Sequence, residues 1–201
     1  MSELVVVGAG GHAKVVIATA RAAGFTVTRV VDDDRARWGA ELLGVPISGP
    51  IAPVLDDANA TAVLAIGANA VRARLGAQAR CHFATVVHPS AIVDASVRML
   101  LGTVIFAGAI VQPDTRLGAH VILNTGCSVD HDCILGDAVH VAPGARLAGN
   151  VTLGARVLAG IGSAFKPGVT VGADAIIGAG AAVVSDLAAG VTAVGVPARA
   201  R

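Results

Sequence analysis

The chain has 201 residues, 54% hydrophobic, 14% charged and 2% aromatic, with 25 glycines and a formal net charge of +1. The apolar fraction and small charge exclude disorder, and near-neutrality leaves no electrostatic footprint for nucleic acid or an anionic membrane. With four Phe, one Trp and no Tyr, a core has to be built from Val, Ile, Leu and Ala, which points to a repetitive β architecture.

The start, Met1-Ser2-Glu3, lacks the basic n-region of a signal peptide, so a cytoplasmic protein is expected. Leu4-Val5-Val6-Val7 reads as a buried strand and Gly8-Ala9-Gly10-Gly11-His12 as a turn. Residues 13–23 are apolar at helical spacing and stop at Gly24. Residues 26–31 form a second strand that ends in Asp32-Asp33-Asp34. Residues 61–66 form a third, followed by Gly67-Ala68-Asn69, where Asn69 is a suitable N-cap for a helix carrying Arg72 and Arg74. Residues 83–87 read as a fourth strand, and His88-Pro89 marks a boundary. Residues 1–88 are therefore expected to form a Rossmann-like βαβ domain.

A glycine-rich turn after a first strand lets phosphates approach a helix N-terminus, and an acid at the end of strand two can meet a ribose or base. The literal pattern, Gly-x-Gly-x-x-Ala with Asp32 downstream, also fits a dinucleotide fingerprint. Any tight strand–helix turn favours glycine, so the motif alone is weak. So short a segment holds only half of a dinucleotide fold, which favours a mononucleotide or a nucleotide sugar.

From Val93, every sixth residue up to Val183 is apolar, sixteen in succession. The register starting at Asp94 has only five apolar residues in sixteen, and the one starting at Ala91 is mostly small or β-branched. Glycine follows the apolar slot at Gly118, Gly136, Gly154, Gly160, Gly172 and Gly178. A helix would show a period of 3.6 and an alternating strand a period of 2. A period of six belongs to a parallel β-helix, with aliphatic slots stacked inward and glycine easing backbone strain at the corners. Residues 187–201 with Pro197 look like a terminal cap. Residues 175–198 are weakly charged, but Asp186, Ser185, Pro197 and several glycines argue against a membrane span. Cys127 and Cys133 fall in small inward slots, and the odd count of three, with Cys81, points to free thiols.

The period resembles that of the left-handed β-helix acyltransferases, in which three hexads make one coil, so about five coils are implied. The Gly-x-Gly-Gly-His-Ala-Lys turn, the Asp-Asp end of strand two, the Ile-Gly-Ala-Asn-x-x-x-Arg segment, Asn124-Thr125-Gly126-Cys127-Ser128-Val129-Asp130-His131-Asp132-Cys133 and the tail Gly195-Val196-Pro197-Ala198-Arg199 together resemble the NeuD/PglD-type sugar O- and N-acyltransferases. The resemblance spans essentially the whole chain. It implies that residues 89–201 form a left-handed parallel β-helix acyltransferase domain with a C-terminal cap. It implies a homotrimer with active sites between subunits, acetyl-CoA as co-substrate and no metal. The implied reaction is N-acetylation of a nucleotide-linked 4-amino-4,6-dideoxy sugar, with O-acetylation of sialic acid or another sugar as the alternative. On the same basis His131 is the general base and Asp132 its support. His140, Gly149, Ile161 and Ala179 match acetyl-CoA positions. Gly10, Gly11 and His12 match the phosphate-facing turn, and Asp32 and Asp33 the part that meets base and ribose. Gly67, Asn69, Arg72 and Asn124 are further candidate substrate positions.

The chemistry is consistent with those residue types. Acetyl transfer needs a base for the nucleophile's proton, and neutral imidazole suits pH 7. A carboxylate on the far ring nitrogen fixes the tautomer, although Asp132 is one methylene shorter than the Glu of the resembled enzymes. Among competing readings, His120, His131 and His140 evoke the three-histidine zinc site of β-helix carbonic anhydrases, which would leave the first domain without a purpose. A non-catalytic nucleotide-binding trimer would bind nucleotide without acetyl-CoA. A sugar nucleotidyltransferase would need an early Arg in its glycine loop, where Gly10-Gly11-His12 stands.

Overall fold

The structure, a computed structural model, describes residues 3–201; Met1 and Ser2, part of the signal-peptide reading, lie outside the described residues. In chain order the first part contains β1 (Glu3–Val7), α1 (Gly11–Ala22) and β2 (Thr26–Val31), then a small hairpin of β3 (Glu41–Leu42) and β4 (Val45–Pro46). It continues with α2 (Ala52–Leu55), β5 (Thr61–Leu64), α3 (Asn69–Gln78) and β6 (His82–Phe83). The main sheet is parallel in the order β2-β1-β5-β6. Ala13, Val16, Ile17 and Ala20 recur at helical spacing on α1 and are buried. That stripe packs against Leu4 and Val6 of the sheet and also against Val104, Phe106 and Ile122 of the following coil. One helix thus serves two layers, and it presses the glycine turn at its start against the coil.

The rest of the chain is a left-handed parallel β-helix of about seven turns, built as a three-sided prism. Two-residue rungs stack in register 18 residues apart, as Val86, Val104, Ile122 and His140 do on face one. Face two carries rungs such as Ile110–Val111 and Ser128–Val129, and face three rungs such as Arg116–Leu117 and Ile134–Leu135. From Ile105 to Val183 every residue of the six-count is buried. Val93 and Met99 are partly buried and pack against the same core.

The coil runs further than the six-count indicates. Residues 83–87, read as one strand, are two: His82–Phe83 pairs within the first sheet, whereas Val86–Val87 is the first rung of face one. At the far end Thr192–Val194 adds another rung, and Arg199–Ala200 folds back antiparallel on it as a cap.

Glycine eases the backbone at the corners as expected, but not the glycines that directly follow the apolar slot. Left-handed φ recurs every six residues, but three residues after the apolar slot, for example at Gly108, Gly126, Asp132 and Asn150. The glycines directly after the slot make room instead. A Cβ on Gly136 would lie 2.6 Å from the Ala155 backbone nitrogen of the next coil. No helix among the described residues is long and apolar enough to cross a membrane.

Candidate active site

His131 and Asp132 turn the edge between faces two and three. Asp132 has φ 58°, a left-handed conformation that aspartate tolerates better than most residues. This bend brings its Oδ2 to 2.8 Å from His131 Nδ1, so the shorter acid reaches the ring. The pair is half-exposed, with side-chain accessibilities of 54% and 53%. The hydrogen bond to Asp132 raises the His131 pKa above the ordinary imidazole value, helped by the nearby Asp130 and Asp132 charges. Nδ1–H faces the carboxylate in this arrangement, and Nε2 is left to accept a proton.

Gly149 lies under the His131 ring in the next coil. A Cβ there would stand 2.6 Å from Cε1 and Nε2 of His131. Gly149 does not have a left-handed φ, so Gly149→Ala leaves the backbone unstrained and acts through the ring alone. It is expected to displace the imidazole and lower kcat by roughly 10- to 100-fold at unchanged thermal stability, measured by steady-state kinetics alongside melting curves.

The glycine turn lies at the carboxyl end of β1. Gly10 caps α1 without a side-chain bond, and the first turn of the helix carries no acidic residue. Nothing would lie within 4 Å of a Cβ at Gly10 or Gly11, so the approach to the helix N-terminus is open. Asp32 braces the turn, with Oδ2 accepting from Ala9 N at 2.6 Å and Oδ1 from Asp34 N at 2.8 Å. Asp33 accepts from Ile51 N. Sequence reading missed Arg37, whose Nη1 donates to the Ala9 carbonyl at 2.9 Å, and Trp38, whose Nε1 donates to the Asp32 carbonyl. Nothing in their local pattern marks them, because both reach back across the chain.

Three of the expected substrate residues turn toward the coil. The His12 ring turns away from the open side of the turn, edge-on to Phe106 at 5.3 Å and 6.0 Å from the His140 ring. Arg72 is 1% exposed and crosses to the coil. Its Nε donates to His120 O, Nη1 to Ile66 O and Gly67 O, and Nη2 to Ala138 O and Asn69 Oδ1. Asn69 is not the N-cap, which is Ala68. Its amide donates to the Arg156 and Val157 carbonyls. Arg72, Asn69 and the Gly67 carbonyl therefore fasten the first domain to the coil.

His140 stands on face one with its ring toward the first domain, its Nε2 3.0 Å from Asn124 Nδ2. Burial, Arg72 and His12 push its pKa down to about 3; burial and Arg72 push that of His12 down to about 4. Both rings are neutral at pH 7. Unfolded histidine titrates near 6.5, so the unfolded chain takes up protons below that pH before the folded chain does. Stability is therefore expected to fall as pH drops from about 6.5 toward 4, by about 3 kcal/mol from His12 alone. Chemical denaturation at pH 7 and pH 4.5 checks this, and His12→Asn should flatten the slope.

The remaining candidates divide between edges. Asn124, Ile161 and Ala179 follow face-one rungs and line the edge between faces one and two, whereas His131, Asp132 and Gly149 line the edge between two and three. His120 sits on the third edge, 5% exposed, against Phe83. His120, His131 and His140 therefore do not converge, and no group of three or more His, Cys, Asp or Glu among the described residues could hold a metal ion.

A βαβ domain with an open glycine turn, docked on a left-handed β-helix that presents an acid-supported histidine at a coil edge, defines a hexapeptide-repeat acyltransferase. The family profile described as the PglD N-terminal domain matches residues 3–78. Perosamine N-acetyltransferase from Caulobacter crescentus, as a histidine variant in complex with CoA and GDP-perosamine, is 43% identical with a TM-score of 0.94, over 100% of this chain and 97% of that one. The acetyltransferase domain of PglB from Neisseria gonorrhoeae, in complex with acetyl coenzyme A, is 35% identical with a TM-score of 0.93, over 99% and 98%. WeeI from Acinetobacter baumannii is 26% identical with a TM-score of 0.86, over the full length of both chains. A comparison with curated proteins finds no match. The chain belongs to the NeuD/PglD-type sugar acyltransferases.

Proposed function

We propose that this protein is an acetyl-CoA-dependent N-acetyltransferase acting on a nucleotide-linked 4-amino-4,6-dideoxy sugar. The carrying observation is the His131–Asp132 pair, bonded at 2.8 Å and open to solvent at a coil edge. His131 takes the proton of the acceptor amine as the nitrogen attacks the acyl carbon, and returns it to the departing thiolate. Asp132 fixes the tautomer and stabilises the imidazolium. The open N-terminus of α1 meets the nucleotide's phosphates, and the Asp32 and Asp33 strand end borders base and ribose.

Acetyl-CoA supplies the activated acyl group. The edge bearing Ile161, which is 61% exposed, and Ala179 is flanked by Gly160, Gly162, Gly178 and Gly180, and this slim apolar strip suits a pantetheine arm. The similarity to enzymes crystallised with CoA and GDP-perosamine supports both substrates, and favours an amine over a hydroxyl acceptor.

The reading includes a cytoplasmic homotrimer with sites between subunits. In one chain the base stands on one edge and the acyl-donor strip on another, separated by face two. That face exposes Ile92, at 66%, and carries small or apolar outward residues such as Ile110, Ala164 and Ala182. A second copy packed on face two would join the two half-sites. The free thiols of Cys81, Cys127 and Cys133 suit a reducing compartment.

The test is thiol release from acetyl-CoA against a panel of UDP- and GDP-linked 4-amino sugars and free sialic acid. Turnover is expected on a nucleotide amino sugar. If none is turned over, the reading fails, and acetylation of sialic acid alone would establish the O-acetyl alternative.

A further inference from the structure

Lys166 stands two coils beyond His131 on the edge between faces two and three. The charge along that edge is ordered. At and before the His131 coil it is acidic, with Asp94, Asp114, Asp130 and Asp132. Beyond comes an uncharged coil, Ala148-Gly149-Asn150, and then Lys166. Among the described residues Lys166 is the only lysine or arginine on this edge, and the edge between faces one and two has none. Lys166 is exposed and makes no salt bridge or side-chain hydrogen bond among the described residues. Asp186, on the coil beyond it, accepts from Thr170 N at 2.8 Å, toward face three.

The spacing suits one part of acetyl-CoA. Coils stack about 4.8 Å apart, so Lys166 is roughly 10 Å from His131 along the axis. The pantetheine arm is about as long as four residues of extended chain, roughly 14 Å from sulfur to the first phosphate ester. In a cyclic trimer whose axis runs along the coils, equal levels of the two edges meet. With the thioester at His131 and the arm on Ile161 and Ala179, the arm leads away from the acidic coils. It ends within reach of a flexible lysine stem. Arg146, an outward cation of face two, is less than one coil beyond His131, too near for the end of the arm.

Past Lys166 both edges turn apolar and exposed. Val184 follows Lys166 by one coil and is 44% exposed. Val196 lies one coil beyond Ala179 on the other edge and is 78% exposed. Two exposed valines at the same level of the two edges offer a slot for a flat base.

We propose that Lys166 binds the phosphates at the nucleotide end of acetyl-CoA and that Val184 and Val196 hold its adenine. This deepens the functional reading and rests on it. The sugar nucleotide's diphosphate keeps its place at the N-terminus of α1. The order of charge along the edge sets the direction of the donor, with the acyl group at His131 and the phosphates toward the C-terminal cap. Lysine suits this place, as a compact cation on a mobile stem that meets phosphate without demanding one geometry.

The test compares acetyl-CoA with acetyl-pantetheine, which has the same thioester and arm but neither phosphates nor adenine. For Lys166→Ala the KM of acetyl-CoA is expected to rise about tenfold, the effect of losing roughly 1.4 kcal/mol of binding. The kcat/KM with acetyl-pantetheine and the KM of the nucleotide sugar should not change. Lys166→Arg should keep most of the acetyl-CoA affinity, and Lys166→Glu should lose more than alanine does. Val184→Ser/Val196→Ser should likewise weaken acetyl-CoA alone. All three sites are exposed, and melting curves confirm the fold. Calorimetric titration with CoA, in the absence of any sugar, should show the same loss for Lys166→Ala. Equal CoA affinity of that variant and the unaltered enzyme overturns the subsite and leaves the acyltransferase reading in place. An equal loss with acetyl-pantetheine overturns the assignment to the phosphates. No CoA binding by the unaltered enzyme overturns the functional reading, and this inference with it.

Discussion

His131→Ala is expected to lower kcat by roughly 10²- to 10⁴-fold, the range for loss of a positioned general base. An amine nucleophile must lose a proton as its nitrogen becomes bonded to carbon, and Nε2 of His131 is the acceptor the edge presents once Nδ1 is held by Asp132. The half-exposed ring contributes little to the core, so thermal stability should hold. The pH profile supplies an independent check. The Asp132 hydrogen bond raises the His131 pKa, and the base works unprotonated, so kcat/KM should climb through that raised value as pH increases. Asp132→Asn removes the carboxylate and should move the rising limb to lower pH while lowering the plateau, since amide and imidazole no longer fix one tautomer. Near-normal turnover by the alanine variant would remove His131 from the role.

Much of this was legible because it is local. The inward slots are set by a six-residue count that any single coil displays, and the residues from Ile105 to Val183 follow it without exception. The glycine turn and the acid at the end of β2 lie on adjacent strands, and their contact, Ala9 N to Asp32, is a consequence of that adjacency. His131 and Asp132 are neighbours in the chain. What the sequence concealed depends on docking. His12 belongs to a phosphate-turn pattern, yet its ring is claimed by Phe106 and His140, which arrive only when α1 lies on face one. The glycine pattern was visible, but its meaning was not. Whether a glycine is needed for its φ or for the space it leaves depends on the coil above, and the two kinds alternate along the edges.

Arg72 gives the clearest test of that distinction. As a substrate contact, its removal would raise a KM and leave melting unchanged. The structure makes the opposite result the expected one. The guanidinium is 1% exposed and donates to the carbonyls of Ile66 and Gly67 in its own domain and of His120 and Ala138 in the coil. Burial lowers its pKa to about 10, so it stays charged at pH 7, and the carbonyl dipoles are what stabilise that charge. Arg72→Ala leaves several buried acceptors unpaired at about 1–3 kcal/mol each, so a loss of at least about 3 kcal/mol is expected. For a chain of this size that corresponds to a fall of roughly 6–12 °C in Tm. Lysine should not rescue it, because one ammonium cannot reach carbonyls on both sides of the joint in the directions that the planar fork does. Thermal melting of Arg72→Ala and Arg72→Lys, read beside the nucleotide-sugar KM of whatever folds, separates the two roles. A normal Tm with a raised KM would return Arg72 to the substrate, and a low Tm for both variants would identify it as the residue that holds the first domain on the coil.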